Sequence, residues 1–174
     1  MRQLRYCVAM SLDGFIAGPK GEYDWIVHDP ALDFGALFRQ FDTLLMGRRT
    51  FDLAQSQGSL LKSMKMKTVV VSTTLSAAQH KDVTILSSGV AETVTALKAE
   101  SGKDIWLFGG GVLFRNLLDT GLVDSVELAV SPVLLAAASG CCQRAALATT
   151  PHRLQDHAEE WDRDAQICCP AWVR

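Results

Sequence analysis

Three times along this chain a short apolar run breaks at a turn of glycines or hydroxyl residues, and the first and third of these turns lead directly into a helix pattern. The first run is Thr43-Leu44-Leu45-Met46, broken by Gly47-Arg48-Arg49-Thr50. The second covers residues 67–72 and ends in the hydroxyls Ser72-Thr73-Thr74. The third is Ile105-Trp106-Leu107-Phe108, closed by Gly109-Gly110-Gly111. Strands this short that are apolar on both faces belong to a mostly parallel sheet covered by helices. In such sheets ligands bind outside the carboxyl ends of the strands. There, helix starts present unpaired N–H groups and partial positive charge to phosphates.

The remainder of the chain fits the same architecture. Residues 4–10 are rich in strand formers, Ser11-Leu12-Asp13-Gly14 interrupts them, and Phe15-Ile16-Ala17 resumes before the turn cluster Gly18-Pro19-Lys20-Gly21. Residues 30–40 read as a helix with Asp29 as N-cap and Pro30 at its first position. Another helix starts around Thr50. Residues 83–86 form a strand, 90–100 a helix, 112–119 a helix with Gly121 just past its end, and 123–130 a strand. The fold class is α/β, and residues 1–135 make one domain.

Composition removes several function classes. A net charge of −2 gives no basic field for nucleic acid or an anionic membrane. No apolar run reaches the roughly 18–20 residues of a membrane span. The N-terminus lacks a signal-peptide pattern, so the expected location is the cytoplasm. Of the five cysteines, Cys7 sits in a strand pattern. The other four are the adjacent pairs Cys141-Cys142 and Cys168-Cys169, a spacing foreign to structural zinc sites. No metal site is expected.

The turns carry the candidate chemistry, each beside a plainer reading. Gly47 lets a ligand approach the backbone, Arg48 or Arg49 can pair with a phosphate, and Thr50 can cap the helix or bind a phosphate oxygen. The same residues also make an ordinary helix start with two solvated arginines. Ser72, Thr73 and Thr74 can hold a ribose phosphate, or simply cap a turn. Gly109, Gly110 and Gly111, running into Val112 and Leu113, permit positive φ and close approach of a pyrophosphate. They form neither a Walker loop nor a complete Gly-x-Gly-x-x-Gly fingerprint. Asp13 can orient a substrate or a cofactor amide, or form its own turn. Asp33, on the first helix, can bind a pterin- or pyrimidine-like ring, or lie on a solvated face.

Together these segments resemble the dihydrofolate reductase superfamily, in the branch of the reductase domain at the C-terminus of the riboflavin-biosynthesis deaminase/reductase. The resemblance rests on residues 11–18, Asp24-Trp25, residues 45–51, residues 70–75, residues 105–111, and Asp124-Ser125-Val126-Glu127-Leu128 leading to Pro132-Val133-Leu134-Leu135. It implies a dihydrofolate-reductase-like sheet, NADPH as hydride donor, a small-molecule substrate and a homodimer. It assigns Gly47 to Thr50 to the cofactor phosphates and Ser72 to Thr74 to the neighbourhood of the adenosine 2′-phosphate. Gly109 to Leu113 go to the pyrophosphate, and Ala9 and Ile16 to the nicotinamide. Family members often carry an arginine where this chain has Thr73, which leaves the choice between NADPH and NADH open. Asp33 is only near the position of the pterin-binding acid in a gapped comparison. The catalytic acid candidates are Asp13 and Asp33.

After Leu135 the motif set ends. Residues 136–174 hold four of the five cysteines and read as an atypical tail. The stretch Leu154-Gln155-Asp156-His157-Ala158-Glu159-Glu160-Trp161 can be encoded so that a one-base shift gives Phe-Lys-Thr-Thr-Gln-Lys-Ser-Gly. Gly140-Cys141-Cys142-Gln143 can be encoded so that a two-base shift gives Leu-Leu-Pro. The tail has two readings, out-of-frame translation or a divergent but ordered tail, and under the first, losing the last strands would bare a sheet edge. The functional expectation is an NADPH-dependent reductase of a small heterocycle. A catalytically inactive nucleotide-binding paralogue and a phosphosugar-binding protein are the alternatives.

Overall fold

The computed structural model describes residues 1–27, 33–58, 60–135 and 139–140. In chain order the elements are β1 (Leu4–Ser11), β2 (Phe15–Ala17), α1 (Phe34–Phe38), β3 (Phe41–Gly47), α2 (Arg48–Ser56), α3 (Leu60–Met64) and β4 (Lys67–Val71). A 3₁₀ turn at Ala77–Gln79 follows, then β5 (Thr84–Leu86), α4 (Val90–Ala99), β6 (Asp104–Gly109), α5 (Gly111–Asp119), β7 (Ser125–Ser131) and β8 (Ser139–Gly140). Six strands form one sheet in the order β5-β4-β3-β6-β1-β7. The pairings β1–β6, β3–β6, β3–β4 and β4–β5 are all parallel. The chain is thus α/β with a mostly parallel sheet, as its two-faced apolar strands require. No helix among the described residues is long and apolar enough to cross a membrane.

The described residues divide into two compact units, one of residues 1–6, 33–58 and 60–124, the other of residues 7–27, 125–135 and 139–140. In the first unit, period-2 alternation sends Ile105 and Leu107 to one face of β6 and Trp106 and Phe108 to the other. Tyr6, aligned with Leu107, stacks on Phe114 of α5 with ring centroids 4.0 Å apart. On the opposite face Trp106 meets Phe38, Phe41 and Phe108 at 5.6, 5.1 and 5.1 Å. Helix α2 buries Phe51 and Ala54 and leaves Arg48, Arg49 and Asp52 in solvent. Full burial of a side chain like Phe51 contributes about 1.5–3 kcal/mol, enough to hold one face of the helix down.

The amino edge of this unit is stitched by charge. Arg2 is buried and donates to Asp42, to the Thr43 hydroxyl at 2.7 Å and to the Lys103 carbonyl. Lys98, also buried, donates to the Leu122 carbonyl at 3.0 Å and to Asp124 at 2.8 Å. Asp124 in turn accepts from the Leu4 amide at 2.6 Å. Buried cations require partners of this kind.

In the second unit β2 pairs antiparallel with β8. Ser11 is fully buried, donates to Asp13 at 2.6 Å and accepts from the Phe15 amide at 2.9 Å. Asp13 also accepts from the Leu135 amide at 3.0 Å, and Leu12 donates to the Val133 carbonyl at 2.9 Å. These bonds shape the turn between β1 and β2 and tie it to the segment after β7.

Two expectations are corrected. The first helix does not run over residues 30–40 with Asp29 as its cap: it covers Phe34–Phe38, and Asp33 is its N-cap, accepting from the Ala36 amide at 2.8 Å. A carboxylate in that position satisfies an orphan donor of the first turn, which fixes the start later than the Asp-Pro pair suggests. The second helix begins at Arg48 rather than around Thr50, because Gly47 takes the cap in an extended conformation. Helix α3 and the 3₁₀ turn, too short to show a period, were not foreseen. Asp29, Pro30, both cysteine pairs and the segment with the frame-shift pattern, residues 154–161, lie outside the described residues.

Candidate functional site

The three turns meet because their strands are neighbours. β3 lies between β4 and β6, and all three are parallel. The register aligns Gly47 with Val71 of β4, and the preceding Met46 with Gly109 of β6. Gly47–Thr50, Ser72–Thr74 and Gly109–Leu113 therefore leave the sheet side by side at one carboxyl edge, all within the first unit.

Two helices start there with glycine caps. Gly47 caps α2 and Gly110 caps α5, and neither start has a side-chain cap bond. Each nine-residue helix thus brings uncapped N–H groups and the positive end of its dipole to this edge. Gly110 has φ +99°, and a Cβ there would lie 3.6 Å from the Thr50 hydroxyl and 3.7 Å from the Gly47 nitrogen. Gly109, at φ +156°, would bring a Cβ to 3.2 Å from the Thr50 methyl. The two glycines let the α5 start close against the α2 start, and a side chain would fill the gap between them. Thr50 is no cap: it is the third residue of α2, with its side chain against this glycine pair. Val112 is exposed at the start of α5, while Leu113 is buried beneath it.

Polar groups join the first two turns. Arg48 donates from Nη1 to the Thr74 hydroxyl and from Nε to Asp52 at 3.2 Å. Ser72 is buried, and its oxygen accepts from the amides of Thr74 at 3.2 Å and Leu75 at 3.1 Å. The Ser72 and Thr74 hydroxyl oxygens are 3.3 Å apart. Thr73 is exposed between them. Arg49 is exposed and makes no ion pair or hydrogen bond among the described residues.

The acids are placed differently. Asp33 is bound to the cap of α1 and lies 3.5 Å from Arg39, with two thirds of its side chain in solvent. Asp13 is in the second unit, engaged by Ser11 and Leu135. Ala9 on β1 and Ile16 on β2, both half-buried, are in that second unit as well. Asp52 belongs to no turn motif, and its one sequence signal is its position four residues after Arg48 on a helix. No group of three or more metal-ligating side chains occurs among the described residues.

Comparison with known proteins places this geometry. A sequence model of the RibD C-terminal domain matches residues 2–167, a span that runs past Leu135. YyaP of Bacillus subtilis strain 168, an uncharacterized protein, is 34% identical over 144 residues, covering 77% of each chain. YwjB of the same organism, also uncharacterized, is 26% identical over 131 residues, covering 74% of this chain and 75% of its own. A candidate riboflavin biosynthesis protein from Shewanella sp. PV-4 superposes with a TM-score of 0.68 at 26% identity, covering 81% of this chain and 82% of that one. A diaminohydroxyphosphoribosylaminopyrimidine deaminase/5-amino-6-(5-phosphoribosylamino)uracil reductase from Thermotoga maritima superposes with a TM-score of 0.66 over 86% of this chain and 51% of that one. At 16% identity the latter shows a shared fold.

Proposed function

The chain belongs to the RibD C-terminal domain family, and on that premise we propose that it is an NADPH-dependent reductase acting on a small pterin- or pyrimidine-like heterocycle. The observation that carries this reading is the convergence of three turns on adjacent strand ends, with two helix starts left uncapped by side chains. The donor set fits a dinucleotide phosphate chain. The amides at the starts of α2 and α5 supply neutral donors and dipole charge, and the bare backbone of Gly109 and Gly110 leaves room for close approach. Thr73 and Thr74, with Arg48 bonded to the Thr74 hydroxyl, would recognise a further phosphate on the adenosine ribose, and Arg49 stands exposed beside Arg48 at the same helix start. Arg48 reaches the Thr74 hydroxyl from across the β3–β4 boundary and so supplies the cation that Thr73 does not.

NADPH, when bound, supplies the hydride. The residues of this chain would bind and orient it through contacts to its phosphates, which is how such a site lowers the barrier by positioning. Ala9 and Ile16 are the proposed nicotinamide contacts, and Asp13 and Asp33 the proposed substrate-orienting acids.

Fluorescence titration of the purified chain with NADPH tests the reading. Saturable binding, followed by NADPH oxidation with a member of a pterin and pyrimidine panel, is expected. A chain that binds sugar phosphates but no dinucleotide refutes it. A second reading, nucleotide binding without turnover, draws on one observation: both acids are committed to local structure, Asp33 to a helix cap and Asp13 to a turn. Saturable NADPH binding with no oxidation across the panel selects that reading.

A further inference from the structure

Two arginines stand side by side at the start of α2, and the helix treats them differently. Arg48 has an acid one turn on, Asp52, and is held by it at 3.2 Å. Arg49 has Leu53 at the equivalent distance along the helix, and is unpaired among the described residues. The i,i+4 spacing thus selects one of two identical side chains for ordering.

The held arginine is also the one aimed at the β4 turn. Its Nη1 donates to Thr74, whose hydroxyl lies 3.3 Å from the Ser72 hydroxyl, and Ser72 is buried and fixed by two amides. Asp52, Arg48, Thr74 and Ser72 therefore form a continuous polar chain from α2 to the end of β4. A guanidinium has five N–H donors in a rigid fork. Two are used here, so the remaining donors stay available in a defined orientation.

We propose that Asp52 is a positioning residue for recognition of the 2′-phosphate that distinguishes NADPH from NADH. By holding Nε, it orders a side chain with four rotatable bonds before the phosphate arrives, and so removes that ordering cost from binding. The inference rests on the dinucleotide reading above. Its sign is open to a direct test, because the Asp52 charge also repels a phosphate. Positioning and repulsion predict opposite effects of removing the charge.

The test is titration of the full chain, as wild type, Asp52→Asn and Asp52→Glu. The ligands are NADPH, NADH, adenosine 2′,5′-bisphosphate and adenosine 5′-monophosphate. The expected result is that Asp52→Asn raises Kd for the two 2′-phosphorylated ligands about two- to fivefold, the range for an exposed ion pair. NADH and the monophosphate stay unchanged, Asp52→Glu recovers part of the loss, and the melting temperature does not move. Equal or tighter NADPH binding by Asp52→Asn overturns the inference, as does a parallel loss of NADPH and NADH. Wild type that binds both dinucleotides equally removes Arg48 and Thr74 as a 2′-phosphate site, and Asp52 with them. Wild type that binds no dinucleotide refutes the proposed function itself, a failure distinct from a wild type that prefers NADPH and an Asp52→Asn variant that matches it.

Discussion

The two edges of the sheet in the first unit both carry charge, and they hold it in opposite ways. At the amino edge Arg2 and Lys98 are buried, each with several partners drawn from distant parts of the chain. At the carboxyl edge Arg48 and Asp52 are about half exposed, and Arg49 is in solvent. Charges removed from water must be fully matched inside the protein, so the amino-edge groups serve the fold. Charges left in water cost little to keep, and their donors remain open to a ligand. The contrast separates the buried cations of the amino edge, which the fold requires, from the solvated arginines of the carboxyl edge, which it does not.

The largest effect that would break this contrast is at Asp42. Asp42→Ala leaves Arg2, with 4% of its side chain exposed, without its nearest carboxylate, and Glu100 at 3.6 Å compensates only in part. A loss of about 3 kcal/mol is expected, or a fall in melting temperature on the order of 10 °C. NADPH affinity should change less than twofold, and a larger change would mean the edges are coupled.

The same residue predicts a pH dependence. Burial pushes the Asp42 carboxyl upward, but the Lys103 amide, the Thr43 hydroxyl and the charges of Arg2 and Lys103 outweigh it, so the folded value lies below that of a free aspartate. Its contribution is therefore present above about pH 4, the unfolded value, and is lost as pH falls through the lower folded value. The gap between the melting temperatures of wild type and Asp42→Asn should narrow below about pH 4. A gap that is constant with pH would show that the carboxylate charge is not what holds Arg2.

Arg48→Ala should do the reverse of Asp42→Ala. Its melting temperature stays within a degree or two of wild type, while Kd for NADPH rises about tenfold or more, the scale of a lost charge-assisted contact. Kd for NADH rises much less. Equal losses for both dinucleotides would move Arg48 from the 2′-phosphate to the shared phosphates.

Gly110→Ala sharpens the comparison from the backbone side. At φ +99° an alanine is strained, at a cost of roughly 1–2 kcal/mol. Both dinucleotides should weaken together, since the glycine serves the phosphates they share. The smallest effect is expected for Lys67→Ala, which removes an exposed pair with Glu100 at 3.9 Å. Such pairs contribute about 0–1 kcal/mol, so neither the melting curve nor cofactor binding should change measurably.

Much of this architecture was legible before any coordinates. Residues 43–46, 67–72 and 105–108 show as strands because their apolar runs are too short and too even for helices, and the glycine turns show where they end. Boundaries failed where one capping side chain decided the matter. Asp29-Pro30 reads as the start of α1, and only the bond from the Ala36 amide to Asp33 sets that start later in the chain. Arg48 and Arg49 are equivalent as letters, and the partners of Arg48 lie four residues and twenty-six residues away. Arg2 gave no signal at all, since a charged second residue is ordinarily solvated.

By itself, then, the sequence determined the α/β class, the three strand-end turns and the family resemblance, because apolar periodicity and glycine placement act over a few residues. Tertiary structure alone decided that β3 lies between β4 and β6, which sets the three turns side by side. It also decided that Arg48 reaches Thr74, that Asp33 caps a helix, and that Arg2 is buried. These outcomes depend on strand order and register, and so on contacts between residues far apart in the chain, which no local pattern encodes.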